Sequence, residues 1–147
     1  MKVLVLNGPN LGTLGRREPE LYGTQTLADL EKLLAERARE LEFELSCLQS
    51  NHEGQLIDWI EKEGGASDAI IINPGALSHS SLALADALRG SGKVVVEVHI
   101  SNVFAREPDR HRMVTAAAAK GVISGLGFEG YLAALDFLAG LQLQQPG

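Results

Sequence analysis

Tyrosine 22, arginine 17, histidine 99 and glutamate 97 are the residues of this chain best suited to acid–base chemistry. A free tyrosine titrates near pH 10, too high for a base at neutral pH. A guanidinium beside it favours the phenolate. Arg17 lies five positions before Tyr22 in one polar stretch and, as an arginine, stays protonated. The chemistry therefore allows Tyr22 as a base; the alternative is a loop tyrosine that only packs. His99 follows an apolar run, and Glu97 stands two positions before it. On a strand that spacing turns both side chains to the same side. A carboxylate so placed orients an imidazole and fixes its tautomer, which suits a general acid. The alternative is a structural histidine satisfied by its neighbour.

Other candidates are weaker alone. His79 follows Asn73-Pro74-Gly75, and Asp86 comes seven residues later, two turns along if one helix holds both. They can bind a hydroxylated ligand, or be a cap and a solvated charge. Asn10, Asn73, Ser101 and Asn102 offer neutral hydrogen-bonding groups. Arg106 and Arg110 have a spacing of four and can share a carboxylate, or pair with Glu107 and Asp109 at the surface.

These residues need a scaffold that gathers them. Five apolar runs recur, and each ends in a cluster of Gly, Asn, Ser or His: Val3–Leu6, Phe43–Leu48, Ala69–Ile72, Val94–Val98 and Gly121–Ile123. Helical spacing fills the intervals. Thr26 and Asp29 read as a capping box before Leu27, Leu30 and Leu34. Ser50 and Glu53 repeat that signal, Ser80–Leu88 forms a third helix, and Glu129–Leu141 a last one. Strands apolar on both faces imply a sheet covered on both sides. The alternation predicts an α/β fold, a doubly wound parallel sheet of five strands with flavodoxin-like order suggested. All five clusters then meet at one sheet edge, where such folds bind ligands. One connection is long for a βα loop: about residues 11–25, with Gly12, Gly15 and Gly23 around Arg16, Arg17, Glu18 and Tyr22. It reads as a lid, or as a mobile loop without a task.

The chain of 147 residues suits one domain, with a tail expected to fray from Gln142 to Gly147. Its net charge of -6 argues against a general nucleic-acid or anionic-membrane surface. No apolar stretch reaches the roughly 20 residues of a membrane span, and no signal-peptide pattern is read at the N-terminus. The single Cys47 forbids an internal disulfide and fits a reducing cytoplasm. No Cys/His spacing supports zinc, and no phosphate loop with Gly-Lys-Ser/Thr occurs. Gly125-x-Gly127-x-x-Gly130 follows the last strand and reads as a tight turn with close helix packing rather than a dinucleotide site.

Asn7-Gly8-Pro9-Asn10-Leu11-Gly12 and Gly15-Arg16-Arg17-Glu18-Pro19 through Tyr22-Gly23 resemble the N-terminal signature of type II 3-dehydroquinate dehydratases. Gln49-Ser50-Asn51-His52-Glu53-Gly54, Asn73-Pro74-Gly75-Ala76, Glu97-Val98-His99-Ile100-Ser101-Asn102 and Gly121 through Tyr131 match later blocks of that family. The resemblance runs from about residue 2 to about residue 140. It implies a flavodoxin-like fold and reversible dehydration of 3-dehydroquinate to 3-dehydroshikimate in the shikimate pathway, without metal, cofactor or Schiff base. It implies that Tyr22 takes the proton at substrate C2, that Arg17 activates Tyr22, and that His99 protonates the departing C1 hydroxyl. Asn10 corresponds to the asparagine holding a water near the enolate oxygen. Asn73, His79, Ile100, Ser101 and Arg110 correspond to substrate-binding positions. Asp86 corresponds to an aspartate that approaches a neighbouring subunit's site in a dodecamer built from trimers. Departures lie at Asp109 and at His111-Arg112-Met113, where Arg112 can compete for the role of Arg110. The competing class is a non-catalytic nucleotide or flavin module on the same fold. It would need a phosphate-cradling first loop, yet that loop contains Pro9, which has no N–H.

Overall fold

The computed structural model describes residues 1–144. Five parallel strands form one sheet: β1 (Lys2–Asn7), β2 (Glu44–Gln49), β3 (Ala69–Asn73), β4 (Val94–His99) and β5 (Gly121–Ser124), in the order β2-β1-β3-β4-β5. This is the flavodoxin-like order, and the chain is a single α/β domain. Register pairs Asn7 with both Gln49 and Asn73, and His99 with Ser124. The strand ends that carry polar clusters therefore line up on one edge. β1 and β3 are neighbours whose connections leave in opposite directions, so a crevice opens between them.

Among the described residues five α-helices flank the sheet: α1 (Pro19–Tyr22), α2 (Leu27–Glu40), α3 (Glu53–Trp59, continued by a π-helical turn over Ile60–Gly64), α4 (Leu82–Gly90) and α5 (Glu129–Gln144). The alternating faces of the buried strands divide the core. Val3, Val5, Ile71, Val96 and Val98 pack with Leu30 and Leu34 of α2 and Leu135 and Leu138 of α5. Leu4, Leu6, Ile70, Ile72 and Val95 pack with Leu56 of α3 and Leu84 and Leu88 of α4. The central strands β1, β3 and β4 are buried on both faces, as unbroken apolar runs require, whereas the edge strands β2 and β5 are half-buried to exposed. Cys47 is half-buried on β2, and desolvation pushes its thiol up to about 12.

Helix boundaries follow local chemistry, with some corrections. The Thr26–Asp29 capping box forms reciprocally, with N–H···O distances of 3.2 and 2.9 Å. The Ser50–Glu53 box does not form. Ser50 Oγ accepts from the His52 N–H at 3.0 Å, and the Glu53 carboxylate takes the Ser81 hydroxyl instead. A tertiary partner has won over the local one. The third helix starts at Leu82, later than expected, because Ser81 caps it by accepting from the Leu84 N–H at 2.9 Å. The last helix runs to Gln144, so Gln142–Gln144 belong to it; the remainder of the expected tail lies outside the described residues. The Gly125-x-Gly127 turn donates its N–H groups to the carbonyls of His99 and Ile100, and Gly130 lets α5 approach Ile123 and Val98.

Two loops meet at the β1–β3 crevice. Gly8 donates its N–H to the Asn73 carbonyl at 2.8 Å, and a Cβ added there would lie 2.5 Å from the Pro74 oxygen. Gly75 answers from the other side: its φ is 61°, and an added Cβ would lie 2.9 Å from the Pro9 oxygen. Backbone, not a flexible side chain, blocks both positions. Gly8→Ala is expected to cost about 1–3 kcal/mol by urea denaturation, because the two loops must separate. Gly54→Ala, with nothing within 4 Å of the new Cβ, is expected to be neutral or stabilising by about 0.5 kcal/mol in the same measurement.

Candidate active site

A cleft opens at this edge. Asn10, Arg17, Tyr22, Asn73, His79 and His99 line it, as do Ile100, Ser101, Arg106 and Arg110. Ten of the predicted site residues thus come together. The eleventh, Glu97, is fully buried directly behind His99. Asp86 does not join them. It is exposed on α4, lies 3.5 Å from Arg89, and faces the groove beside Ile57 and Ile60. His79 does not share a helix face with it. His79 ends a separate 3₁₀ segment, Gly75–His79, and the chain turns again before α4 begins.

His99 and Glu97 stand as their spacing predicted, with Nε2 and Oε2 2.7 Å apart. The Glu97 carboxylate also accepts from the Ser78 hydroxyl at 2.8 Å and from the Thr115 hydroxyl at Oε1. A buried carboxylate without partners would be costly; this one receives donors from three separate segments. With Nε2 committed to Glu97, the other ring nitrogen of His99 is left for a ligand. The His79 ring stacks beside it, centroids 6.3 Å apart, and is itself tied by Nδ1 to the Arg112 carbonyl at 2.7 Å.

Tyr22 sits at the end of α1, inside the long connection, and packs against the α2/α5 side of the core. Its hydroxyl oxygen accepts from Arg106 Nη1 at 2.6 Å. The guanidinium carbons of Arg17 and Arg106 lie 4.9 and 5.5 Å from the ring centroid. Sequence reasoning assigned the activating role to Arg17 alone; the direct partner of the phenol oxygen is Arg106, 84 positions away. Arg106 is held in turn by Ser101 Oγ at 3.4 Å and lies 3.9 Å from the Glu18 carboxylate.

Arg106 and Arg110 do not ride one helical turn. A 3₁₀ segment, Val103–Ala105, precedes the first, and Pro108–Arg110 contains the second. Both still reach the cleft. Arg110 also donates to Glu107 at 2.6 Å, and that hydrogen bond holds the Glu107 carboxyl below the ordinary carboxylate range. The surface pair and the cleft position therefore coexist. Arg112 contributes its carbonyl to His79 and does not line the cleft. Asn102 is likewise elsewhere, its side chain accepting from the Phe104 N–H at 3.1 Å.

Sequence reasoning missed the residues that hold the site together. Ser78 and Thr115 fix Glu97. Asn51 accepts from the Asn10 N–H at 3.0 Å, where Asn10 adopts a left-handed φ of 72°. Tyr131 joins Asn7 to Asn73. A polar residue on an otherwise apolar stripe, as Tyr131 is on α5, was the available signal. The first loop also answers the nucleotide question. Its N–H groups are consumed: Gly8 to Asn73, Asn10 to Asn51 and Leu11 to Gly8, while Pro9 has none. No nest is left for a phosphate.

Among the described residues no helix is long and apolar enough to cross a membrane. A flavodoxin-like sheet edge whose cleft is lined by a carboxylate-held imidazole and an arginine-flanked phenol has the groups of an acid–base enzyme rather than of a nucleotide carrier. The chain belongs to the dehydroquinase class II family, whose model matches residues 1–139. It is 54% identical to the 3-dehydroquinate dehydratase of Roseiflexus castenholzii, covering 100% of this chain and 94% of that one. It is 55% identical to that of Deinococcus radiodurans over 93% of this chain and 96% of the relative. The crystal structure of type II dehydroquinase from Propionibacterium acnes superposes with a TM-score of 0.91 at 47% identity, over 95% of this chain and 96% of that one.

Glu97→Gln tests the carboxylate. An amide presents an N–H₂ to a site filled by donors, so stability should fall by about 1–3 kcal/mol in urea denaturation. The ¹⁵N spectrum of His99 should show a changed tautomer balance; an unchanged spectrum would show that Glu97 does not orient the ring.

Proposed function

We propose that this chain is a type II 3-dehydroquinate dehydratase, a hydro-lyase converting 3-dehydroquinate reversibly to 3-dehydroshikimate in the shikimate pathway. One observation carries the reading beside the family membership: a phenol flanked by two guanidiniums and an imidazole backed by a buried carboxylate line the same cleft.

In this reading Tyr22, as phenolate, removes a proton from C2, next to the C3 ketone. Arg106 and Arg17 stabilise the negative oxygen before transfer. The C2–H electrons move into the ring as an enolate, and Asn10 holds a water that donates to its oxygen. Collapse of the enolate expels the C1 hydroxyl, which His99 protonates so that it leaves as water. Glu97 keeps the imidazole oriented. Every step is a proton transfer or the bond cleavage coupled to it, and Tyr22 and His99 supply the base and the acid. Arg110 meets the substrate carboxylate, and Asn73, His79, Ile100 and Ser101 hold the ring. Residues 11–25 act as a lid, supported by the anchoring of Tyr22 and Glu18 to Arg106 across the cleft mouth.

Asp86 is exposed and turned from its own cleft, which supports a place at a neighbouring subunit's site in a dodecamer of trimers. The single, half-buried thiol suits a cytoplasmic setting. Purified protein given 3-dehydroquinate without added metal should produce the ultraviolet absorbance of the conjugated enone. Tyr22→Phe and His99→Ala should each lower kcat by about 10²-fold or more, with circular dichroism unchanged and sedimentation reporting the same large oligomer. Absence of turnover by the folded oligomer would refute the activity, and full turnover by either variant would refute that residue's role.

A further inference from the structure

Asn73 ends β3 and lines the cleft, and its orientation follows from hydrogen-bond logic. The Gly75 N–H can only donate, and it lies 3.1 Å from one amide atom of Asn73, which must be Oδ1. The other amide atom, Nδ2, then faces the Tyr131 hydroxyl at 2.9 Å and donates to it. The tyrosine's own single proton goes to Asn7 Oδ1 at 2.6 Å. Tyr131 and Asn7 are almost completely buried, with 0% and 1% exposure, and Asn73 is 4% exposed. Burial also pushes the Tyr131 phenol well above its ordinary range, so it remains a neutral donor–acceptor. The same logic accounts for Asn7 Nδ2, which has no partner among the described residues. Turning the Asn7 amide over would give that nitrogen an oxygen to meet but would strand the tyrosine proton.

From this geometry we propose that Tyr131 is a positioning residue: by engaging one Asn73 N–H it makes the second N–H the group that Asn73 turns to the cleft, so this edge selects a hydrogen-bond acceptor on the ligand. Under the proposed function, on which this inference rests, the acceptor is a hydroxyl or carboxylate oxygen of the substrate acid. The residue acts from the core side of α5 and does not line the cleft.

The test combines kinetics and amide exchange on the full-length protein. Tyr131→Phe should raise KM about tenfold or more and lower kcat less, because binding geometry is lost while Tyr22 and His99 stay in place. The double variant with Asn73→Ala should lose no more than Asn73→Ala alone. Leu138→Val, a core truncation on the same helix, should lower stability but keep the wild-type KM. In the wild type, NMR should find one Asn73 side-chain proton protected from exchange and the other exchanging until dehydroquinate is added. Protection of the first should vanish in Tyr131→Phe. A folded Tyr131→Phe with wild-type KM, additive losses in the double variant, or two equally exchanging Asn73 protons in the wild type would each overturn the proposal. Wild-type protein that does not turn over dehydroquinate would overturn the functional reading instead, and the protected proton would still decide the role of Tyr131.

Discussion

The buried carboxylate of Glu97 is the constraint on which the rest of the site depends. A charge taken out of water costs several kcal/mol unless donors replace the water. Here the donors come from the end of β4, from the 3₁₀ segment after β3 and from the one before β5: His99, Ser78 and Thr115. Satisfying one carboxylate therefore fixes three chain segments relative to one another. It also fixes the imidazole ring. The group that could otherwise destabilise the core becomes the reason the sheet edge has a defined shape.

The second half of the site is built from the opposite face of the sheet. Glu97 and His99 share the side of β4 occupied by Val95, which packs with α3 and α4. Tyr22 packs with the α2/α5 core, as does Tyr131. The cleft thus straddles the sheet, with the imidazole backed by one core and the phenol by the other. Gly8 and Gly75 let the β1 and β3 loops touch in the middle. A ligand bound there would meet the phenol and the imidazole from different directions, the arrangement that an anti elimination uses.

Much of this was legible in the sequence, for physical reasons. Strand runs apolar on both faces announced a covered parallel sheet, and a two-residue spacing placed Glu97 beside His99. Local periodicity carries such information. Contacts made across the chain do not appear in it. The hydrogen bond from Arg106 to Tyr22 spans 84 positions, so Arg17, close in sequence, looked like the sole partner. Glu53 suited a local capping box, yet Ser81 from another element took its carboxylate. Asp86 had the right distance along the chain from His79, but an intervening turn separated their directions. Ser78 and Thr115 are hydroxyls of common type, and only burial beside a carboxylate gives them meaning.

The central claim is that a phenol from the lid and an imidazole from the strand end divide one reaction into proton removal and assisted departure. Incubation with 3-dehydroquinate in deuterium oxide, followed by proton NMR of the C2 position, separates those steps. His99→Ala should still exchange the C2 proton while forming little product, and Tyr22→Phe should do neither. Wild-type exchange by Tyr22→Phe, or loss of exchange in His99→Ala alone, would contradict the division of labour between the two residues.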